Sequence, residues 1–248
     1  VSARLLVCDL GTMPYAAALE LQRGVARSRI TKAVDEDVLL LVEHPPVVTL
    51  GRSSKQHHLL ATPALLAKRG VELFEVERGG DVTFHGPGQL VGYPIVDLKR
   101  HKQDLHWYLR QVEAALIRAL APFGIEGERN VGFTGVWTKG GERKLASIGV
   151  HARDWVTWHG FALNVATDIS YFDLIVPCGI SAVEMTSITR EIQRAAGADA
   201  PTDARDERLE RRTRDQVVSA FADVFALEAE TIDVSELEAI CSVPAAQA

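Results

Sequence analysis

The sequence predicts an α+β fold, a mixed, largely antiparallel sheet packed with helices, and three observations predict it. Short apolar runs bounded by charges or prolines, at residues 38–42 and 47–50, have the length of buried strands. Amphipathic stretches at helical spacing, near 14–30 and 103–120, are interleaved with such runs. The block 135–165 is broken by Gly140-Gly141, a hairpin signal that favours antiparallel neighbours.

Residues 4–10 read as a strand in which Cys8 is a small buried hydrophobe. Pro14 suits a first helical turn, and Ala18, Leu21 and Val25 repeat at spacings of three and four, leaving Arg23, Arg27 and Arg29 on a basic outer face. Two buried strands, 38–42 and 47–50, flank a rigid Pro45-Pro46 corner that His44 caps. Residues 51–58 form a loop, and its pair His57-His58 lacks the third ligand that a metal site needs. A short helix over 63–69 is closed by Gly70, and Val71, Leu73 and Val76 then alternate with Glu72, Glu75 and Glu77 as a half-buried strand. After the glycine-rich stretch 78–89, a strand over 90–98 contains Pro94, which points to an edge or a bulge. The long helix 103–120 carries Leu105, Leu109, Val112, Leu116 and Leu120 on one face and ends before Pro122.

Strands at 144–150 and 155–165 follow, with an apolar turn or helix at 171–176 and a short closing strand at 185–188. Residues 191–216 turn charged, with a loop at 197–201 and a solvated helix whose apolar face, Val217, Val218, Phe221, Val224 and Phe225, docks on the core. Past Leu227 a tail is expected, with Cys241 incidental.

At 248 residues one domain is expected, with a motif-bearing core over about 4–190 and a helical region over about 191–248. Mean hydropathy is +0.03 and no apolar run is long enough to span a bilayer, so a cytoplasmic enzyme without a membrane segment is expected. A net charge of −6 and a pI near 5.8 argue against a polyanion-wrapping surface, so nucleic acid is not an expected partner. Three cysteines without CxxC spacing offer neither a disulfide framework nor a zinc site.

Three groups carry candidate chemistry. His85 stands between Gly79-Gly80 and Gly86-Pro87-Gly88, a setting that fits either two tight turns or a backbone cradle presenting N–H groups to a ligand. Lys144 opens a mostly apolar segment, where it is either a surface lysine at a strand end or a partly desolvated amine. Cys178 lies in the loop Pro177-Cys178-Gly179, which keeps it out of a strand interior and exposes it. If the three converge, nucleophilic acyl transfer is the natural chemistry: a thiolate is a strong nucleophile, a nearby ammonium favours its formation, and the lysine shuttles the proton.

Over residues 4–190 the chain resembles the lipoyl/octanoyl transferases of lipoate synthesis. The resemblance lies in Arg78-Gly79-Gly80, Thr83, His85-Gly86-Pro87-Gly88-Gln89 and Tyr93-Pro94, then Lys144, Ala146 and Ile148-Gly149. It continues in His159-Gly160-Phe161-Ala162-Leu163-Asn164-Val165, Pro177-Cys178-Gly179-Ile180 and Thr186-Ser187, all in family order. The resemblance implies a fold like that of the biotin and lipoate protein ligases and a Cys178/Lys144 dyad without metal or nucleotide. Octanoyl acyl carrier protein would be the donor. Lipoyl domains of 2-oxo-acid dehydrogenase complexes and the glycine cleavage H protein would be the acceptors, and the enzyme would act as a monomer. By the same resemblance Arg78, Gly79, Gly80, Asp81, Val82, Thr83, Phe84, His85, Ser147, Ile148, Gly149, Gly160, Phe161 and Ala162 would line the acyl site. The alternatives are an ATP-dependent lipoate or biotin protein ligase, which needs no nucleophilic thiol, and a non-catalytic relative that only binds lipoyl domains.

Overall fold

The computed structural model describes residues 3–138, 140–180, 183–198 and 200–242. In chain order the elements are β1 (Arg4–Thr12), α1 (Tyr15–Ile30), β2 (Asp37–Glu43), β3 (Val47–Leu50), α2 (Pro63–Lys68), β4 (Glu72–Glu75), β5 (Val82–His85) and β6 (Gln89–Ile95). They continue with α3 (Leu105–Leu120), β7 (Gly127–Asn130), β8 (Phe133–Thr138), β9 (Arg143–Arg153), β10 (Val156–Asn164), β11 (Glu184–Met185) and α4 (Ile188–Ala195). The last three are α5 (Glu207–Phe225), β12 (Glu228–Thr231) and α6 (Val234–Ser242). Among the described residues the main sheet runs β12-β1-β2-β6-β10-β9-β8-β7 with β11 beside β9, and a smaller sheet runs β4-β3-β5. The pairings from β2 through β6, β10, β9 and β8 to β7 are antiparallel, whereas β1 lies parallel to both β12 and β2. The mixed, largely antiparallel α+β class is what the sequence predicts.

The main sheet is buried on both faces, which is why β2 reads as an unbroken apolar run. Leu39 and Leu41 join the core under α3 and α5, packing with Val112, Leu116, Val217 and Phe221. Val38, Leu40 and Val42 point the other way, into a core shared with Ala18 and Val25 of α1 and Leu237 of α6. The smaller sheet covers a separate core built from Val48, Val82, Phe84, Phe172, Leu174 and Met185.

Several elements differ from the sequence reading. Pro94 sits in a central strand, not at an edge, because the β6–β10 ladder is interrupted beside it: pairing runs from Gln89↔Asn164 to Gly92↔Phe161 and resumes only at the bridge Asp97↔Val156. The Pro94 carbonyl accepts bonds from Tyr108 Oη at 3.1 Å and Thr157 Oγ1 at 3.0 Å, and His159 takes a positive φ of 57° in the gap. β4, an edge strand of the smaller sheet, is mostly exposed. Ile188 begins α4 instead of ending a strand, because the Ser187 side chain caps that helix by accepting from Arg190 N. Residues 228–242 carry β12 and α6 where a tail was expected, and the rest of that tail, 243–248, lies outside the described residues. The basic face on α1 is reduced: Arg29 is 2% exposed and bonded to Asp37 at 2.7 Å, and Arg23 clasps Glu77 at 2.6 Å, while Arg23 and Arg27 stay exposed. The expected loop at 197–201 includes Asp199, which lies outside the described residues.

Candidate active site

A cavity of about 210 Å³ opens between the two sheets. The smaller sheet contributes Val82, Thr83 and His85 of β5, with Arg78, Gly80 and Asp81 just before it. From the main sheet come Lys144, Ser147, Ile148 and Gly149 of β9, Gly160, Phe161 and Ala162 of β10, and Val91 and Tyr93 of β6. The loop bearing Cys178 closes one side. The glycine-rich stretch is thus neither turn alone nor cradle alone: a strand, β5, runs through its middle and is antiparallel to β3.

Lys144 Nζ stands 3.0 Å from Cys178 Sγ, and Ser147 Oγ stands 3.7 Å from the same sulfur. The lysine is 1% exposed, so it is the desolvated amine and not a surface residue. Its ammonium lies 5.2 Å from the centre of the Trp137 ring, a cation–π contact that partly replaces lost hydration. Room for the chain comes from Gly135 at φ 141°, where a Cβ would stand 2.6 Å from Ala146 O and 2.8 Å from Lys144 Cε. The Gly135 N–H is held by the fully buried carboxylate of Glu113, which also receives Arg110 and Arg129.

Burial alone would push the Cys178 thiol up, but the charge and hydrogen bond of Lys144, the Ser147 hydroxyl and the Arg78 charge outweigh it, and the thiol lies below its ordinary value. Arg78 is itself buried, donating to the carbonyl and hydroxyl of Thr49 and to Gly79 O.

Neutral rings form another part of the wall. His85 is pushed down to about 3 by burial, with its Nδ1 bonded to Gln89 Oε1 at 2.8 Å. His44, which lies behind the wall, falls to about 4 for the same reason and joins Met13 O to Tyr93 Oη. Tyr15 stacks on His85 with ring centres 6.0 Å apart. His159 Nε2 is buried, 3.7 Å from Glu77 and with no closer hydrogen-bond partner among the described residues.

Of the residues that the resemblance named, two stand off the cavity wall. Phe84 turns to the opposite side of β5, stacking on Tyr171 at 4.7 Å, as strand alternation requires. Gly79 instead donates its N–H to Val150 O, pinning the stretch to β9. Tyr15, Val91 and Phe133 line the cavity without having been singled out. They are ordinary apolar or aromatic positions, and no sequence pattern marks them.

Residues 14–209 match the lipoyl protein ligase A/B catalytic domain. The octanoyltransferase of Gloeobacter violaceus is 53% identical over 178 residues, spanning 72% of this chain and 77% of that protein. The octanoyltransferase of Nostoc sp. is 47% identical over 223 residues, spanning 90% of this chain and 93% of its own. Among solved structures, lipoate-protein ligase A bound with ATP is similar at a TM-score of 0.67 and 15% identity, covering 97% of this chain and 93% of that one. A bi-partite lipoate protein ligase from Thermoplasma acidophilum is similar at 0.67 and 15%, covering 97% and 91%. At such identities the solved structures share the fold.

Proposed function

The chain belongs to the lipoyl protein ligase A/B catalytic-domain family, among its octanoyltransferases, and from that premise we propose that it carries the octanoyl group as a thioester on Cys178. The enzyme transfers octanoyl groups in protein lipoylation. The donor is octanoyl acyl carrier protein, and the acceptors are lysine amines of lipoyl domains in 2-oxo-acid dehydrogenase complexes and the glycine cleavage H protein.

Lys144 Nζ takes the thiol proton, and the thiolate adds to the donor thioester carbonyl. Collapse of the tetrahedral adduct breaks the bond to the carrier sulfur, and Lys144 returns the proton to that leaving thiolate. Lys144 is then neutral when the acceptor amine attacks the Cys178 thioester. It takes a proton from the amine as the amide forms and passes it to the departing Cys178 sulfur, which restores the starting state. Ser147 Oγ and the glycine-rich backbone supply donors for the oxyanion, and the neutral wall with Val91, Ile148, Phe161 and Ala162 suits an apolar chain.

The observation that carries this reading is the 3.0 Å contact between Lys144 Nζ and Cys178 Sγ at the cavity wall. An adenylate-forming ligase has no need of such a pair. The test is intact-protein mass spectrometry after mixing the enzyme with octanoyl acyl carrier protein in the absence of ATP. Wild type gains one octanoyl group and Cys178→Ala gains none. A gain that survives the substitution, or transfer that occurs only from free octanoate with ATP, overturns the acyl-enzyme.

A further inference from the structure

Cys178 adopts φ 56° and ψ 18°, and Gly179 follows at φ 67°. A non-glycine residue in the left-handed region persists only where its surroundings over-determine it. Lys144 and Ser147 hold the sulfur on one side, and two residues from elsewhere in the chain lie against Gly179 on the other. A Cβ at position 179 would stand 2.5 Å from Asp81 Oδ2 and 2.9 Å from His58 Cε1, so the loop lies directly on that pair. His58 Nδ1–H donates to Asp81 Oδ2 at 2.5 Å, with the two side chains 12% and 9% exposed. The second Asp81 oxygen accepts Val82 N–H at 2.7 Å, which ties the pair to β5. On the other side the His58 carbonyl accepts Val176 N–H at 2.7 Å, and a bridge joins Leu59 to Ile175. Both Asp81 oxygens are therefore engaged within the protein, although the residue borders the cavity.

We propose that His58 and Asp81 form a latch that holds the Cys178 loop against the sheet, so that Sγ stays in contact with Lys144. Both are positioning residues, and the proposal rests on the reading of Cys178 as the acylated thiol. The geometry explains why the pair matters to the reaction. Gly179 N and Ile180 N bond Val176 O and Pro177 O inside the loop, Val176 N bonds the His58 carbonyl across to the neighbouring segment, and the side-chain pair is what backs Gly179. Without that backing the left-handed turn relaxes and the sulfur leaves the charges that favour its thiolate: Lys144 and Arg78, with the Ser147 hydroxyl beside them.

The test uses His58→Ala, His58→Asn and His58→Gln, because an asparagine amide nitrogen reaches the place of Nδ1 and a glutamine amide that of Nε2. Each is measured for donor kcat and KM and for the pH dependence of Cys178 alkylation by iodoacetamide. The alanine and glutamine variants are expected to lose at least tenfold in kcat with KM within twofold of wild type, and their alkylation profiles move to higher pH. His58→Asn is expected within threefold of wild type, with an unshifted profile. Wild-type kcat and profile in His58→Ala overturn the latch, as does an asparagine variant no better than glutamine, or a loss confined to KM. If the alanine variant does not fold, the asparagine and glutamine pair decides. Failure of wild type to form octanoyl-Cys178 counts against the acyl-enzyme alone, because the alkylation profile needs no substrate and tests the latch independently.

Discussion

At the scale of single residues, the proposed dyad asks two separable things of Lys144, a charge that favours the thiolate and an amine that moves protons. Burial works against the thiolate, so the charge is what brings the Cys178 thiol below its ordinary value. Lys144→Met removes both contributions while filling similar space. Its alkylation rate at pH 7 is expected to fall at least tenfold, on the order of the thiolate fraction lost. Lys144→Arg keeps a charge near the sulfur but cannot release a proton. That variant is expected to retain a lowered thiol in the alkylation profile while transfer to the acceptor amine falls by about 10²-fold or more, the range associated with general acid–base catalysis. Equal losses in both assays for the arginine variant would show that charge alone matters and that proton transfer is not the task of Lys144.

At the scale of elements, Lys144 is placed by the packing of α3 against β8. The Glu113 carboxylate is fully buried, bonds Arg110 and Arg129, and caps Gly135 N at 3.1 Å where β8 passes the lysine chain. Glu113→Ala strands that N–H and the Arg129 pairing. A loss of about 1–3 kcal/mol in urea unfolding is expected from the unsatisfied buried N–H, since the two arginines are half exposed and stay solvated, together with a fall in acylation. Unchanged stability would show the carboxylate to be dispensable. None of this was legible in the chain, because a glutamate on an amphipathic helix reads as solvated face. The Lys144–Cys178 pairing and most of the cavity lining were legible through ordered motifs, and the central strands through their apolar runs. The edges were not. β12 is Glu-Ala-Glu-Thr with every residue exposed, so it has no alternation to read, and only β1 beside it makes it a strand. Pro94 misled for the opposite reason, since its chemistry disfavours a central ladder, and a local interruption opposite His159 removes the conflict.

At the scale of the whole molecule, a cavity walled partly by imidazoles suits the proposed acyl chain only while those rings stay neutral, and their neutrality couples stability to pH. His44 and His85 are lowered by burial from 6.5 to about 4 and about 3, and burial also lowers His151 and His159. A depressed native pKa means that the unfolded chain takes up a proton that the folded one refuses. The stabilisation is therefore fully present above about 6.5 and is lost as pH falls toward the native values, by up to about 1.4 kcal/mol per pH unit for each ring. Carboxylates held low in the fold, such as Glu77 and Asp37, enter this balance only as pH nears their ordinary values of 4.5 and 3.8, so the span from 6.5 to 5 is set by the imidazoles. Urea unfolding at pH 7, 6 and 5 is expected to show a steady decline. His85→Gln keeps a side-chain amide in the wall without a titrating ring, and its decline is expected to be shallower by about one proton. An identical slope in that variant would mean that His85 is protonated in the folded enzyme. A cationic ring would then border the cavity, contrary to an apolar acyl site there.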